Sequence, residues 1–141
     1  MASPLSQKAL ADLPDEIAPD GSQVRLLLAM RGGSMAHFTI PQGHTIRAVK
    51  HQTVDEMWYI VGGRGVMWRS FDGTQKEIEL KPRLAVSIPV GTIFQVKNEG
   101  TNDLCVIGQT MPAWPGNDEA IICAGPWQPT VSNHNIETKY E

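Results

Sequence analysis

The stretch AVKHQTVDEMWYIVGGRG, residues 48–65, places His51 and Glu56 on either side of a short polar turn. A histidine and a carboxylate can face each other from two consecutive strands, either as metal ligands or as an acid–base pair. Position 49, where a second histidine would complete a chelate, holds Val49. The stretch therefore predicts either a metal site with missing ligands or a pocket that works without them.

Composition limits the kinds of partner. The chain has 141 residues, of which 41% are hydrophobic, so it can form one domain with a buried core. Its 12 basic and 15 acidic residues give a net charge of −3, without a block of like charges. We therefore expect no nucleic-acid partner and no membrane surface partner.

The compartment is predicted from apolar runs and cysteines. The N-terminus shows no apolar run typical of a signal peptide, and the longest apolar run covers only residues 26–30. A membrane-spanning helix needs about 20 apolar residues. Two cysteines, Cys105 and Cys123, are typical of a reducing environment rather than of a disulfide scaffold. These features predict a cytoplasmic location.

Many short β-like runs separated by Gly and Pro follow from residue 23, which favours an antiparallel barrel or sandwich. Nine candidate strands cover residues 23–30, 34–40, 45–51, 56–61, 65–71, 76–80, 84–89, 93–98 and 104–110. Residues 1–22 are predicted to be a short helix or a loose arm, since apolar residues recur at helical spacing before Pro14. Residues 111–130 are too rich in Pro and Trp for a regular element. We expect residues 111–141 to form an extended tail on the barrel, with Trp114 and Trp127 as anchors.

The spacing of these residues resembles the first sequence motif of the cupins. That motif places a glycine before two histidines, a glutamate and a second glycine. Gly43, His51, Glu56 and Gly63 stand at four of these positions, whereas Val49 replaces the first histidine.

A second cupin motif is similar to residues 83–98. Pro89, Gly91 and Asn98 are in register with it, whereas Arg83 replaces a glycine and Phe94 replaces the histidine. The resemblance covers roughly residues 23–110 and implies a cupin double-stranded β-helix, a jelly-roll-like antiparallel barrel. The tail MPAWPGNDEA is similar to that of uncharacterised bacterial cupins.

Alternation of side chains along the strands predicts what the barrel encloses. If His51 and Glu56 face the lumen, the substrate pocket should contain Arg47, Val49, Trp58 and Phe94. Such a pocket is mostly apolar and aromatic with a few convergent polar groups, as small-molecule sites usually are. It predicts a small organic ligand of apolar or aromatic character.

The resemblance implies a divalent metal such as Fe, Mn, Ni or Zn, but only two of the four usual ligands remain. A catalytic site usually has three protein ligands, so His51 and Glu56 need another donor. His37 is the candidate, since its strand should neighbour the strand of His51. The apolar phase of residues 36, 38 and 40 would place His37 outside the barrel.

Two functions remain open. The first is a cupin-type enzyme with lyase, isomerase or oxygenase chemistry, in which His51 and Glu56 are catalytic. The alternative is a metal-free cupin that binds a small ligand, for example as a sensor, without catalysis. Met57, Tyr59 and Val61 would form an apolar outer face, which predicts a homodimer.

Overall fold

The protein folds into two antiparallel sheets that face each other. Its computed structural model describes residues 4–131. The eleven strands are β1 Glu16–Ile17, β2 Gln23–Met30, β3 Gly33–Ile40, β4 Ala48–His51, β5 Asp55–Gly62, β6 Gly65–Phe71, β7 Thr74–Leu80, β8 Ala85–Ile88, β9 Ile93–Lys97, β10 Leu104–Met111 and β11 Ala120–Cys123. One sheet has the order β1-β2-β3-β10-β5-β8 and the other the order β11-β4-β9-β6-β7. This is the predicted double-stranded β-helix.

The nine predicted strands are all present, with ends that differ by up to three residues. The helix considered for the N-terminal arm is wrong. Residues 6–11 have no regular structure, and the first element is the short strand β1, which pairs with β2. Two short strands at the ends of the chain, β1 and β11, were not predicted.

The tail also differs from the expectation of an irregular segment. A 3₁₀ turn at Asn117–Glu119 leads into β11, which pairs with β4 along its four residues. The edge of β4 offers unpaired backbone groups, and pairing satisfies them even where the sequence has weak strand propensity. Among residues 4–131, no helix is long and apolar enough to cross a membrane.

The space between the sheets is filled by fully buried side chains. Ile40, Ile60 and Val106 come from one sheet, and Met67 and Val96 come from the other. Burial alternates along β5, where residues 56, 58 and 60 are buried and residues 57, 59 and 61 are exposed. The two-residue period thus decides which side chains reach the lumen.

Three glycines of the two motifs, Gly43, Gly63 and Gly91, adopt positive φ angles between 78° and 84°. Arg83, which replaces the remaining motif glycine, also has a positive φ of 77°. This backbone conformation is unfavourable for a residue with a Cβ atom. The turn before β8 therefore has a backbone conformation that glycine favours, although an arginine occupies it.

Candidate functional site

A cavity of about 570 Å³ lies between the sheets and is lined by strands β2 to β5, β9 and β10. Both ends of the chain contribute to its wall. The arm supplies Asp20, and the tail supplies Trp114 and Asn117. The volume is suitable for a small organic molecule.

His51 ends β4, and Glu56 is the second residue of β5, so the intervening turn brings the two side chains together. The His51 Nδ1 atom lies 3.7 Å from Glu56 Oε1, and both residues are only 4% exposed. This distance is too long for a hydrogen bond. Nδ1 of His51 has no hydrogen-bond partner among residues 4–131. The predicted pair is therefore brought together and both residues line the cavity, while the buried Nδ1 atom of His51 forms no hydrogen bond in the described chain.

Burial sets the protonation of this pair. It lowers the pKa of His51 to about 4, against an opposing effect from the charge of Glu119. Burial also raises the pKa of Glu56 to about 8, and repulsion from Asp20 acts in the same direction. The nearby Trp58 indole acts in the opposite direction and lowers the pKa of Glu56. Its Nε1 atom is close enough to have this effect but forms no hydrogen bond in the described chain. At neutral pH both His51 and Glu56 are therefore mainly uncharged.

The two cupin ligand positions that lack histidine form an apolar contact. Val49 of β4 is directly opposite Phe94 of β9, and both residues are 1% exposed and line the cavity. Because the pair fills the wall next to His51, the lumen is apolar where the usual ligands would stand. The predicted pocket residues Val49, Trp58 and Phe94 are all in the wall.

Aromatic rings form a row along this wall, which we call the aromatic row. Phe38 stacks on Trp58 at 6.0 Å between ring centroids, and Trp58 meets Phe94 edge to face at 5.8 Å. The His51 ring contacts Phe94 at 5.4 Å and Trp114 at 5.1 Å, both edge to face. The row therefore joins both sheets and the tail around the reactive pair.

Gly108 of β10 leaves room for the site. A Cβ atom at this position would lie 2.5 Å from Phe38 Cε2 and 2.7 Å from Glu56 Oε2. Both distances are shorter than van der Waals contact permits. The absence of a side chain at position 108 is what allows Glu56 and Phe38 to occupy the same part of the lumen.

Asp20 is the charged wall residue that sequence reasoning missed. Its Oδ1 atom accepts hydrogen bonds from the Ser22 backbone N–H at 2.8 Å and from the Ser22 hydroxyl at 2.7 Å. Burial raises the pKa of Asp20, against opposing effects from these hydrogen bonds and from the Arg47 charge. The D-x-S spacing is a signal for this turn, but only the folding of the arm onto the barrel places the turn in the lumen.

The tail is fixed beside the site by Glu119. Its carboxylate accepts hydrogen bonds from the Thr53 backbone N–H at 2.5 Å, from the Thr53 hydroxyl at 2.5 Å and from the Val54 N–H at 3.1 Å. These bonds tie the tail to the turn between His51 and Glu56. Trp114, one of the two predicted anchors, thereby covers His51, while Trp127 donates its backbone N–H to Gln95.

Two predicted site residues do not reach the cavity. Arg47 is 3% exposed and lies beside the arm. Its backbone N–H donates a hydrogen bond to the Asp20 carbonyl oxygen, and its Nη1 atom donates one to the Pro19 carbonyl oxygen. Arg47 thus contacts the arm and is not among the residues that line the cavity, in contrast to the expectation from alternation along its strand. His37 is paired with Arg25 and Ile107 and does not line the cavity, whereas its two neighbours on β3, Ala36 and Phe38, do.

The metal site with His51, Glu56 and His37 as ligands is consequently not formed. The pleat of β3 turns His37 to the face opposite Phe38. Within residues 4–131, no group of three or more His, Cys, Asp or Glu side chains is placed to hold a metal ion. The donor set of His51 and Glu56 is one ligand short of a usual catalytic metal site.

Comparison with known proteins agrees with this fold. No family model matches the chain. An uncharacterised protein of Methanocaldococcus jannaschii is 29% identical over 127 residues, which cover 84% of this chain and 98% of that protein. The likeness extends over nearly the whole of that relative.

Solved structures of cupins superpose on the chain at low sequence identity. The Staphylococcus aureus capsular polysaccharide assembling protein CapF has a TM-score of 0.66 at 18% identity, covering 88% of this chain and 35% of CapF. A predicted oxalate decarboxylase of Thermotoga maritima has a TM-score of 0.61 at 19% identity, covering 74% of this chain and 99% of that protein. The chain is thus a small cupin-fold protein, a double-stranded β-helix.

Proposed function

We propose that this cupin is a small-molecule enzyme of the lyase or isomerase type that uses His51 and Glu56 as an acid–base pair. One observation carries the proposal. His51 and Glu56 both line the cavity, and the buried His51 Nδ1 atom lies 3.7 Å from Glu56 Oε1 without a hydrogen-bond partner in the described chain. Two titratable groups whose pKa values are pushed apart by their environment are a common arrangement for acid–base catalysis.

The neutral states define the roles of the two groups. His51 accepts a proton from a carbon next to a carbonyl group of the substrate, while Glu56 donates its proton to the carbonyl oxygen. The products of this step are an enol, an imidazolium and a carboxylate, and the two new charges attract each other. Return of the protons to different atoms gives an isomer. In a lyase, Glu56 protonates a departing hydroxyl group, which leaves as water.

The oxygenase alternative would use a divalent metal held by His51 and Glu56. These two ligands are fewer than the three that catalytic metal sites usually have. The acid–base proposal therefore rests on the residues alone, and no step of it passes through a metal.

Hydrogen exchange with solvent tests the proposal without knowledge of the substrate. The protein is incubated in heavy water with a library of small carbonyl and hydroxy compounds, and mass spectrometry detects compounds that gain deuterium. We expect exchange that is lost in His51→Gln and in Glu56→Gln. His44→Gln serves as the control, since His44 does not line the cavity.

The outcomes separate the two functions. Exchange that persists unchanged in His51→Gln would contradict the proposed role of the histidine. Ligands that raise the melting temperature but undergo neither exchange nor conversion would favour a ligand-binding or sensor cupin.

We also propose that the protein is a homodimer. On the outer face of β5, Met57 is 50% exposed, Tyr59 47% and Val61 50%, and Met35 of β3 lies on the same sheet at 39%. An apolar sheet face of this kind is typical of a protein interface. Light scattering should give twice the monomer mass, and Tyr59→Lys should yield monomers. A monomeric wild-type protein would contradict the proposal.

A further inference from the structure

We infer that the ligand of this cavity carries a positively charged amino group, with Asp20 as its counter-ion and the aromatic row as its apolar wall. The inference deepens the proposed function, on which it rests, by naming the class of substrate. It follows from three features of the cavity: its buried acidic groups, its aromatic surface and the geometry of the Asp20 turn.

The first feature is an excess of buried acidic groups. Asp20 and Glu56 both line the cavity and are 8% and 4% exposed. His51 is the basic group beside them, and burial keeps it uncharged at neutral pH by lowering its pKa to about 4. Lys8 also lines the cavity, but its side chain is on the exposed arm. Burial raises the pKa of Asp20; a bound cation would oppose that rise by stabilising the carboxylate, whereas an anionic ligand would add to it.

Arg47 does not remove this imbalance. Its charge acts on Asp20 and opposes the rise in the pKa of that carboxyl group. Burial still outweighs the opposing effects, so the pKa of Asp20 remains raised. Arg47 itself does not line the cavity. A ligand in the lumen therefore meets the carboxyl group of Asp20 and not the guanidinium group.

The second feature is the aromatic surface. Phe38, Trp58, Phe94 and Trp114 all line the cavity that contains Asp20. The faces of aromatic rings carry negative electrostatic potential, so a desolvated cation is attracted to them as well as to the carboxylate. An amine with an apolar body can pair with the Asp20 carboxylate through its ammonium group and pack against the aromatic row.

The third feature is the geometry of the Asp20 turn. Both hydrogen bonds from Ser22 are accepted by Oδ1, so the turn does not use Oδ2. The turn holds the carboxyl group in a fixed position at the wall. A bound ammonium group also acts on Glu56, since repulsion from Asp20 is one cause of the raised pKa of Glu56. Neutralising Asp20 lowers that pKa and makes Glu56 a stronger proton donor.

Three probes of similar size and different charge test the inference by isothermal titration calorimetry at pH 7. Benzylamine is the cation, benzyl alcohol the neutral analogue and benzoate the anion. We expect benzylamine to bind about tenfold more tightly than benzyl alcohol, and benzoate to bind more weakly than either. Asp20→Asn keeps an acceptor for Ser22 and should remove the preference for the amine while leaving the affinity for benzyl alcohol within about twofold. Asp72→Asn in the exposed β6–β7 turn is the matched control and should change neither affinity.

The outcomes distinguish this inference from the proposed function. Equal affinity for benzylamine and benzyl alcohol, tightest binding of benzoate, or an unchanged preference in Asp20→Asn would each overturn the cationic ligand. Failure of all three probes would overturn it as well. In each of these cases, deuterium exchange that depends on His51 would leave the acid–base proposal standing.

Discussion

Glu56 and Glu119 are two glutamates with nearly the same solvent exposure and opposite shifts of pKa. Glu56 is 4% exposed and Glu119 is 5% exposed. Burial raises the pKa of Glu56 to about 8, and nothing of comparable strength opposes it. Burial also pushes the pKa of Glu119 upward, but hydrogen bonds from Thr53, Val54 and Gln52 outweigh that effect and lower its pKa.

The difference teaches that solvent exposure alone does not decide what a carboxyl group does: Glu56 lies deep in the barrel with few donors, whereas Glu119 lies nearer the surface with several. Glu119 is ionised and satisfied, so it acts as a structural clamp between the tail and the turn after His51. Glu56 is mainly neutral and faces an open space, so it keeps a proton that a ligand can receive. The two residues should therefore respond differently to substitution and to pH.

Substitution of Glu119 should give the largest loss of stability. Glu119→Ala leaves the Thr53 N–H and hydroxyl group and the Val54 N–H without their acceptor. We expect a loss of about 3 kcal/mol in the free energy of unfolding, measured by urea denaturation. A loss below about 1 kcal/mol would show that water replaces the clamp at little cost.

The pH dependence of the free energy of unfolding should show that ionisation of Glu119 stabilises the protein and that ionisation of Glu56 destabilises it. Glu119 has a folded pKa below the ordinary glutamate value of 4.5, so its stabilisation is present above pH 4.5 and is lost as pH falls through the folded pKa. Glu56 has a folded pKa of about 8 against 4.5, so its ionisation costs stability increasingly as pH rises between these values. His51, with a pKa of about 4 against 6.5, gains stability as pH rises between those values and offsets the loss up to pH 6.5.

A net fall of roughly 2 kcal/mol should therefore appear between about pH 6.5 and 8, at up to about 1.4 kcal/mol per pH unit. Glu56→Gln should abolish that fall and stabilise the protein at the upper end of the range. Denaturation curves of both proteins at several pH values make the comparison. A fall of equal size in Glu56→Gln would contradict the raised pKa.

Gly108→Ala tests how closely the lumen fits Glu56. The added Cβ would crowd Phe38 and Glu56 Oε2, so one of them has to move. We expect a loss of about 1.5 kcal/mol in stability together with weaker ligand binding. Gly62→Ala is a matched control, since a Cβ there meets no heavy atom within 4 Å. Equal effects of both substitutions would argue against crowding.

Arg83→Gly should give the smallest effect and the opposite sign. Arg83 has a φ of 77°, a conformation that glycine adopts without a steric penalty. We expect a gain of about 0.5–1 kcal/mol in the free energy of unfolding. Because Arg83 lies outside both carboxyl sites, the gain should be the same across the pH range. Destabilisation would indicate that the Arg83 side chain makes a contact that outweighs the backbone strain.

The sequence was sufficient to predict the fold and the centre of the site. Motif glycines, short runs and the alternation along β5 are local signals, and they correctly predicted nine strands and the side chains of Glu56 and Trp58 in the lumen. His51 and Glu56 are brought together by a short turn, so their contact is also a local property.

Residues whose role depends on the chain ends were not predictable in this way. Asp20 reaches the lumen because the arm folds over the barrel, and Arg47 hydrogen-bonds to the same arm and does not line the cavity. His37 depends on the phase of β3, for which the sequence left two alternatives. Glu119 is 66 residues away along the chain from Thr53 and 65 residues away from Val54, which it binds. No local pattern encodes such long-range packing.

The central claim is that Glu56 is a neutral acid beside a neutral histidine, and carboxyl titration by NMR tests it most directly. Protein labelled with carbon-13 at the glutamate side-chain carboxyl carbon is titrated, with Glu56→Gln and Glu119→Gln used to assign the two resonances. We predict that the Glu56 resonance titrates near pH 8 and that of Glu119 below 4.5. A Glu56 resonance that titrates near 4.5 would mean that the group is ionised at neutral pH, and it would contradict the acid–base account.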